Sequence, residues 1–143
     1  MSAESHELQE WQSLELLRET QVGRLCIVES DYPVALPVNY VIDQQDGSPI
    51  AVVRAAPNSV LDHFEGHASL EIDDIDVGRS SAWSVIARGN LTRVLGAHSL
   101  PDPHPILSID RRQWLVLTIS AMSGRRFRIE PAADGCSVER QFV

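Results

Sequence analysis

A chain of 143 residues with 43% hydrophobic content has room for one domain with a sizeable core. It carries 20 acidic and 12 basic residues, a formal charge of -8, and no lysine, so its surface repels phosphate backbones and anionic lipid; neither nucleic acid nor a membrane is an expected partner. No run approaches the roughly 20 apolar residues that span a bilayer, and the polar start Met1 to Glu10 lacks the apolar core of a signal peptide, so a cytoplasmic protein is expected.

Leu8, Trp11, Leu14 and Leu17 recur at helical spacing, with Leu16 widening the stripe, which predicts a helix over Glu7 to Glu19 capped near Ser5 or His6. Short β-rich runs follow: Val22–Val28, Val34–Ile42, Ile50–Arg54 and Ala68–Ile72. They are broken by Asp31-Tyr32-Pro33, by Gln44 to Ser48 and by a brief crossover, the cadence of a compact antiparallel sheet or barrel. Cys26 lies within an apolar strand and Cys136 in a polar tail, two unrelated thiols rather than a disulfide pair; Cys26 reads as a small buried hydrophobe.

Pro37 cannot donate to a ladder, which implies an edge position, a bulge, or a place where a ligand replaces the neighbouring strand. Asn39, two residues on, needs partners in an apolar run; a cross-strand hydrogen bond and contact with a polar ligand edge are equally open. After Arg54, the run Asn58–Glu65 reads as a short helix capped by Asn58 or Ser59, and its exposed N–H groups beside an arginine suit an anionic group such as a phosphate.

His63 and His67 are separated by Gly66, which ends that helix, and are taken as surface histidines rather than metal ligands. Glu71, Asp73, Asp74 and Asp76 lack the spacing of a calcium loop and read as a solvated turn. No metal site is expected. A long strand from Trp83 to Val94, bent at Gly89, precedes a proline-broken loop over 96–110; two further strands, Gln113–Ile119 and Arg125–Ile129, are joined by Ser123-Gly124, where Gly124 suits a turn or bulge with positive φ. The core is expected over about residues 14–130 of a single domain, with a polar tail at 131–143.

The sequence holds no Gly-x-Ser-x-Gly elbow, Walker loop, Cys-x-x-Cys pair or glycine-rich dinucleotide fingerprint, and catalytic residues are not assigned. A set of ordered blocks is more specific: Leu16-Leu17-Arg18-Glu19 with Val22-Gly23-Arg24-Leu25, Pro37-Val38-Asn39-Tyr40, Val53-Arg54-Ala55 with Ser59 and Leu61, Glu71-Ile72-Asp73, Trp83-Ser84-Val85 with Arg88-Gly89, and Trp114 with Ser123 to Arg126. Over about residues 14–127 this order resembles the pyridoxamine 5'-phosphate oxidase-like flavin-binding proteins.

That resemblance implies a mainly β fold, a split β-barrel with an antiparallel six-stranded core and an N-terminal helix, assembled as a homodimer with FMN in a cleft between subunits. It places Arg54 and Ala55 at the flavin phosphate, Ser59 and Val60 in the turn that caps it, and Val38 and Asn39 beside the isoalloxazine ring. Trp83 and Ser84 fall on the strand that closes the cleft, and Trp114 and Arg125 resemble a late tryptophan and arginine supplied by the other subunit. Many relatives carry a lysine where this chain has Val60, so one charge-assisted hydrogen bond, worth ~1.5–3 kcal/mol, is absent from the phosphate turn.

Three functions follow from the resemblance, in order. The first is an FMN-dependent oxidoreductase acting on a small molecule. The second is a deazaflavin-coenzyme enzyme using Arg88, Arg125 and Arg126 as a groove. The third is a non-enzymatic flavin carrier, sensor or ligand-free dimer. Oxidation of pyridoxamine phosphate itself is disfavoured, because no second cluster of arginine, lysine and serine is evident for a substrate phosphate.

Overall fold

A computed structural model describes residues 3–104 and 113–129. Its elements in chain order are β1 (Ala3–Glu7), α1 (Glu10–Glu19), β2 (Val22–Glu29), β3 (Tyr32–Gln45), β4 (Ser48–Ala55), β5 (Gly66–Asp76), β6 (Ser81–Arg93) and β7 (Gln113–Ile129). The strands pair antiparallel in the order β1-β7-β4-β3-β2-β5-β6, and a further pairing of β6 with β7 closes six of them into a barrel. The mainly β split barrel with one N-terminal helix is the expected fold.

Tight turns set the register. Ser30 and Asp31 take positive φ between Glu29 and Tyr32, and Asp46 and Gly47 do so between Gln45 and Ser48; two consecutive left-handed residues match the twist of an antiparallel pair. Alternation then fills the barrel. Leu25, Val53, Leu70, Ile72, Val85, Leu91, Leu115 and Leu117 are buried, and Leu17 of α1 plugs the same core. A smaller cluster of Ile50, Val52 and Val116 lies on the outer face, covered by Val94, Leu100 and Trp114.

Several sequence expectations change. Residues Ala3–Glu7 form a strand on β7, and the Leu8 N–H donates to the Gly124 carbonyl, so α1 starts at Glu10, with Gln9 as its cap and Gln12 Oε1 accepting from the Gln9 N–H. Its buried positions are Ser13 and Leu17, four apart, while Trp11 is 65% exposed. The two last strands are one, β7. Gly124 sits inside it without positive φ; a Cβ there would lie 2.4 Å from Ser13 Oγ, so its role is close helix packing rather than a turn.

Residues 58–65 form turns and not a helix, and Gly66 opens β5. The acidic run belongs to β5, because Leu70 and Ile72 point inward and leave Glu71 and Asp73 on the opposite face. Cys26, between buried Leu25 and Ile27, faces outward and is only half-buried. Gly89 marks a register shift between β6 and β7, as a bend there implied. The expected tail at 131–143 and the end of the loop over 105–110 lie outside the described residues.

Ser13 Oγ is buried with no hydrogen-bond partner among the described residues. Ser13→Ala should therefore be neutral or stabilising, whereas Gly124→Ala should cost about 1–3 kcal/mol through overpacking. In the double variant the loss should shrink. Urea midpoints of the four proteins measure all three expectations.

Candidate functional site

The sheet splits at one rung. Tyr40 pairs with Val53, but beyond it β3 continues as Asn39, Val38 and Pro37 on β2 alone, while β4 continues as Arg54 and Ala55 on β7 alone. Between Pro33 and Asn39 no described strand pairs on the β4 side, the edge position that Pro37 implied. Tyr40 anchors the fork. Its hydroxyl donates to the Leu17 carbonyl at 2.7 Å and its N–H to the Gln21 carbonyl at 3.1 Å, and burial raises the phenol pKa. Val38 packs on the core, and the Asn39 amide donates to the Gln21 carbonyl at 3.5 Å.

Across the fork stands Arg54. Its guanidinium lies 5.1 Å from the Trp114 ring centre, a cation–π stack, and the His98 ring lies 4.4 Å from that of Trp114, tilted by 56°. Arg54 also donates to both oxygens of Asp102, at 3.1 and 3.2 Å. The His104 N–H donates to Asp102 at 2.9 Å, and these contacts, the backbone one foremost, hold the carboxyl below its usual pKa. Ala55 is buried beneath the turn.

The turn itself is occupied by its own chain. Asn58, at φ 63°, donates its N–H to Asp62 Oδ2 at 2.7 Å, and Ser59 directs its hydroxyl back to the Ala56 carbonyl at 2.6 Å. Asp62, 5% exposed, is held in turn by Arg93 at 3.3 Å. Two carboxylates thus stand where the sequence suggested an anion, Asp102 on the arginine and Asp62 on the Asn58 amide. Val60 is exposed beside them.

The remaining sequence candidates lie elsewhere. Ser84 pairs with Arg125 and Trp83 with Arg126 at the far end of the β6–β7 ladder. Arg125 donates to Ser5 Oγ at 3.2 Å and approaches Glu7 at 3.5 Å. Trp114, grouped with Arg125 by the resemblance, is separated from it by roughly 35 Å of strand at about 3.3 Å per residue and belongs with Arg54. One chain therefore holds two groups: Val38, Asn39, Arg54, Ala55, Ser59, Val60 and Trp114 around the fork, and Trp83, Ser84 and Arg125 away from it.

Sequence reasoning missed a charged cluster next to the fork. Arg24, paired in register with Pro37 on one side and Glu71 on the other, donates to Glu71 at 3.1 Å and Asp73 at 2.8 Å, beside a cavity of about 170 Å³ that also includes Pro37. Burial and the neighbouring Asp73 push the Glu71 carboxyl up to about 7 against the pull of Arg24. The outward positions of β2 and β5 carry this signal, but only once the two strands are known to pair. Among the described residues no group of three or more histidine, cysteine or acidic side chains is arranged for a metal, and no helix is long and apolar enough to cross a membrane.

The family model for pyridoxamine 5'-phosphate oxidase matches residues 9–126. The chain belongs to that family. Solved structures share its fold: an FAD-binding protein of Mycobacterium smegmatis, 23% identical over 87% of this chain and 100% of that one, superposes with a TM-score of 0.68. An FAD-binding protein of Mesorhizobium loti is 17% identical over 88% and 98%, with a TM-score of 0.66. A protein of unknown function from Corynebacterium diphtheriae, 24% identical over 86% and 98%, gives 0.66. Among proteins of curated function, none matches the sequence.

The Glu71 cluster yields a pH signature. Folding raises this carboxyl, so between about pH 4.5 and 7 the folded chain keeps a proton that the unfolded chain has released, and stability falls as pH rises through that window. Relative to Glu71→Gln, the wild-type melting temperature should decline from about pH 5 to 8. Parallel curves for the two proteins would show that Glu71 titrates as an ordinary carboxylate.

Proposed function

We propose that the fork between β3 and β4 is a flavin site and that the protein is an FMN-dependent oxidoreductase acting on a small molecule. The observation that carries this reading is the edge of β3 at Pro33–Asn39, left without a strand partner opposite Arg54. An extended edge offers backbone donors and acceptors to the polar rim of a flat ring, and Val38 offers an apolar wall. Arg54, stiffened by Trp114, supplies the cation for a phosphate.

The donor set fits FMN on one condition: the phosphate must share or displace the Asp102 carboxylate. When bound, the flavin would supply the two-electron chemistry; the chain's own residues bind it, orient it and shield one face. Trp83, Ser84 and Arg125 reach the same cleft only if a second copy brings them, which supports a homodimer with two equivalent sites. The acidic surface, net -8, disfavours a nucleic acid or an anionic lipid as partner.

A second reading has its own support. Asp102 and Asp62 already engage the arginine and the Asn58 amide, and Val60 adds no charge, which favours a ligand-free or non-enzymatic member. A deazaflavin coenzyme is supported less, because Arg125, one of the three arginines proposed for its groove, is engaged by Ser5 and Glu7.

Titration with FMN, FAD and the deazaflavin coenzyme under fluorescence separates these readings, with FMN expected to saturate at one per subunit. Arg54→Ala should weaken FMN about ten-fold or more, the loss of one charge-assisted contact. Asp102→Asn should act in the opposite direction, tightening FMN about three- to ten-fold by removing a competing charge. No binding of any flavin by either wild type or Asp102→Asn would favour the ligand-free reading. Light scattering at micromolar concentration should give a dimer.

A further inference from the structure

A cavity of about 480 Å³ lies away from Arg54, Trp114 and the turn at 58–60, and meets the β3 edge at Pro33 alone. It lies on the outer face of the barrel, where Cys26 of β2 pairs with Ser69 of β5 and Ser69 pairs with Arg88 of β6. The row ends at an irregularity in β7. Arg88 is opposite Ala121 and Gly89 is opposite Ile119, so Ser120 is an extra residue, and its hydroxyl donates to the Arg88 carbonyl at 3.2 Å.

This bulge shapes the floor. A Cβ on Gly89 would fall 1.9 Å from the Thr118 carbonyl oxygen, so the backbones approach too closely for any side chain, and the surface there stays open. Around the floor stand the Arg88 guanidinium, the His67 imidazole, the Ser69 and Ser120 hydroxyls and the Cys26 thiol, with apolar wall from β2.

The charge of this lining departs from that of the chain. The protein carries a net -8, yet among the described residues no aspartate or glutamate lines the cavity and no carboxylate pairs with Arg88. An unneutralised guanidinium beside hydroxyl donors and apolar wall, in a cleft within the about 300–1,000 Å³ range of small-molecule pockets, is complementary to an anion with a hydrophobic body. Surrounding acidic surface repels anions in general, so the cleft would select by close contact rather than by long-range attraction.

We propose that this groove is a second ligand site, distinct from the fork, that binds a small organic anion, its carboxylate or phosphate on Arg88 and the hydroxyls and its apolar part against the β2 wall. Of the β3 edge at the fork it touches Pro33 alone, and its polar groups, Arg88, His67, Ser69 and Ser120, stand on β5, β6 and β7, so the FMN titration tests it separately from the flavin reading.

Cys26 in the wall reports occupancy. Its pKa is raised, chiefly by burial, so it is followed at alkaline pH by iodoacetamide alkylation with peptide mass mapping, which separates it from Cys136. Phenyl phosphate and benzoate are the probes, one for each anion, and benzyl alcohol is the neutral control. Either anion should protect Cys26 saturably, slowing alkylation about ten-fold at ten times its Kd, while benzyl alcohol does not.

Arg88→Gln, at an exposed position, should abolish that protection and leave the melting temperature and the FMN titration unchanged. Ser69→Leu, which fills the groove, should abolish it too. Absence of saturable protection by both anions overturns the proposal, as does equal protection in Arg88→Gln. Cys26 that is unreactive in the wild-type dimer without ligand and becomes reactive only on dissociation would assign the groove to a subunit contact instead. A parallel loss of FMN binding in Arg88→Gln would merge it with the fork.

Discussion

The architecture depends on β7 pairing with three strands. Its first half is bonded to β4 and β6 at once, which closes the barrel; its second half keeps β6 but exchanges β4 for β1. An antiparallel sheet of this size would otherwise present open edges, and closure removes them except where pairing is interrupted. The interruption falls at Tyr40 and Val53, and Tyr40 is pinned from outside the sheet by the carbonyls of Leu17 and Gln21. A helix end thus decides where the sheet opens.

Electrostatics at the opening is a competition within the chain. Arg54 is the cation that an anionic ligand needs, yet Asp102 reaches it from a loop held in place by Leu100 on Val52 and Val116 and by His98 on Trp114. Buried Asp62 does the same for the Asn58 amide, balanced by Arg93. An arginine at the surface with no carboxylate would be the stronger anion site; this chain keeps its arginine ordered at the expense of that strength.

Two other outer-face clusters have opposite character. Arg24 lies between Glu71 and Asp73, so its charge is more than balanced and one carboxyl retains its proton to higher pH. Arg88, two residues along β6 from the rung of Arg24 and Glu71, lies in a lining of hydroxyls and a thiol instead. The same residue type is structural in one setting and available in the other, and only the strands on either side distinguish them.

The sequence by itself determined the β-rich class, the positions of β2 to β6, the edge at Pro37 and the family blocks, because alternation and turn residues are local signals. It also drew attention to Arg54. Tertiary structure alone decided which partners those residues have: β1 is polar and becomes a strand only against β7, the run after Asn58 is held as turns by Asp62, and Gly124 is required by the approach of Ser13. Asp102 meets Arg54 across a separation of 48 residues, and Arg88 meets Cys26 through Ser69. Such contacts depend on strand order and register, which pair residues distant in sequence and leave no periodic trace in the chain.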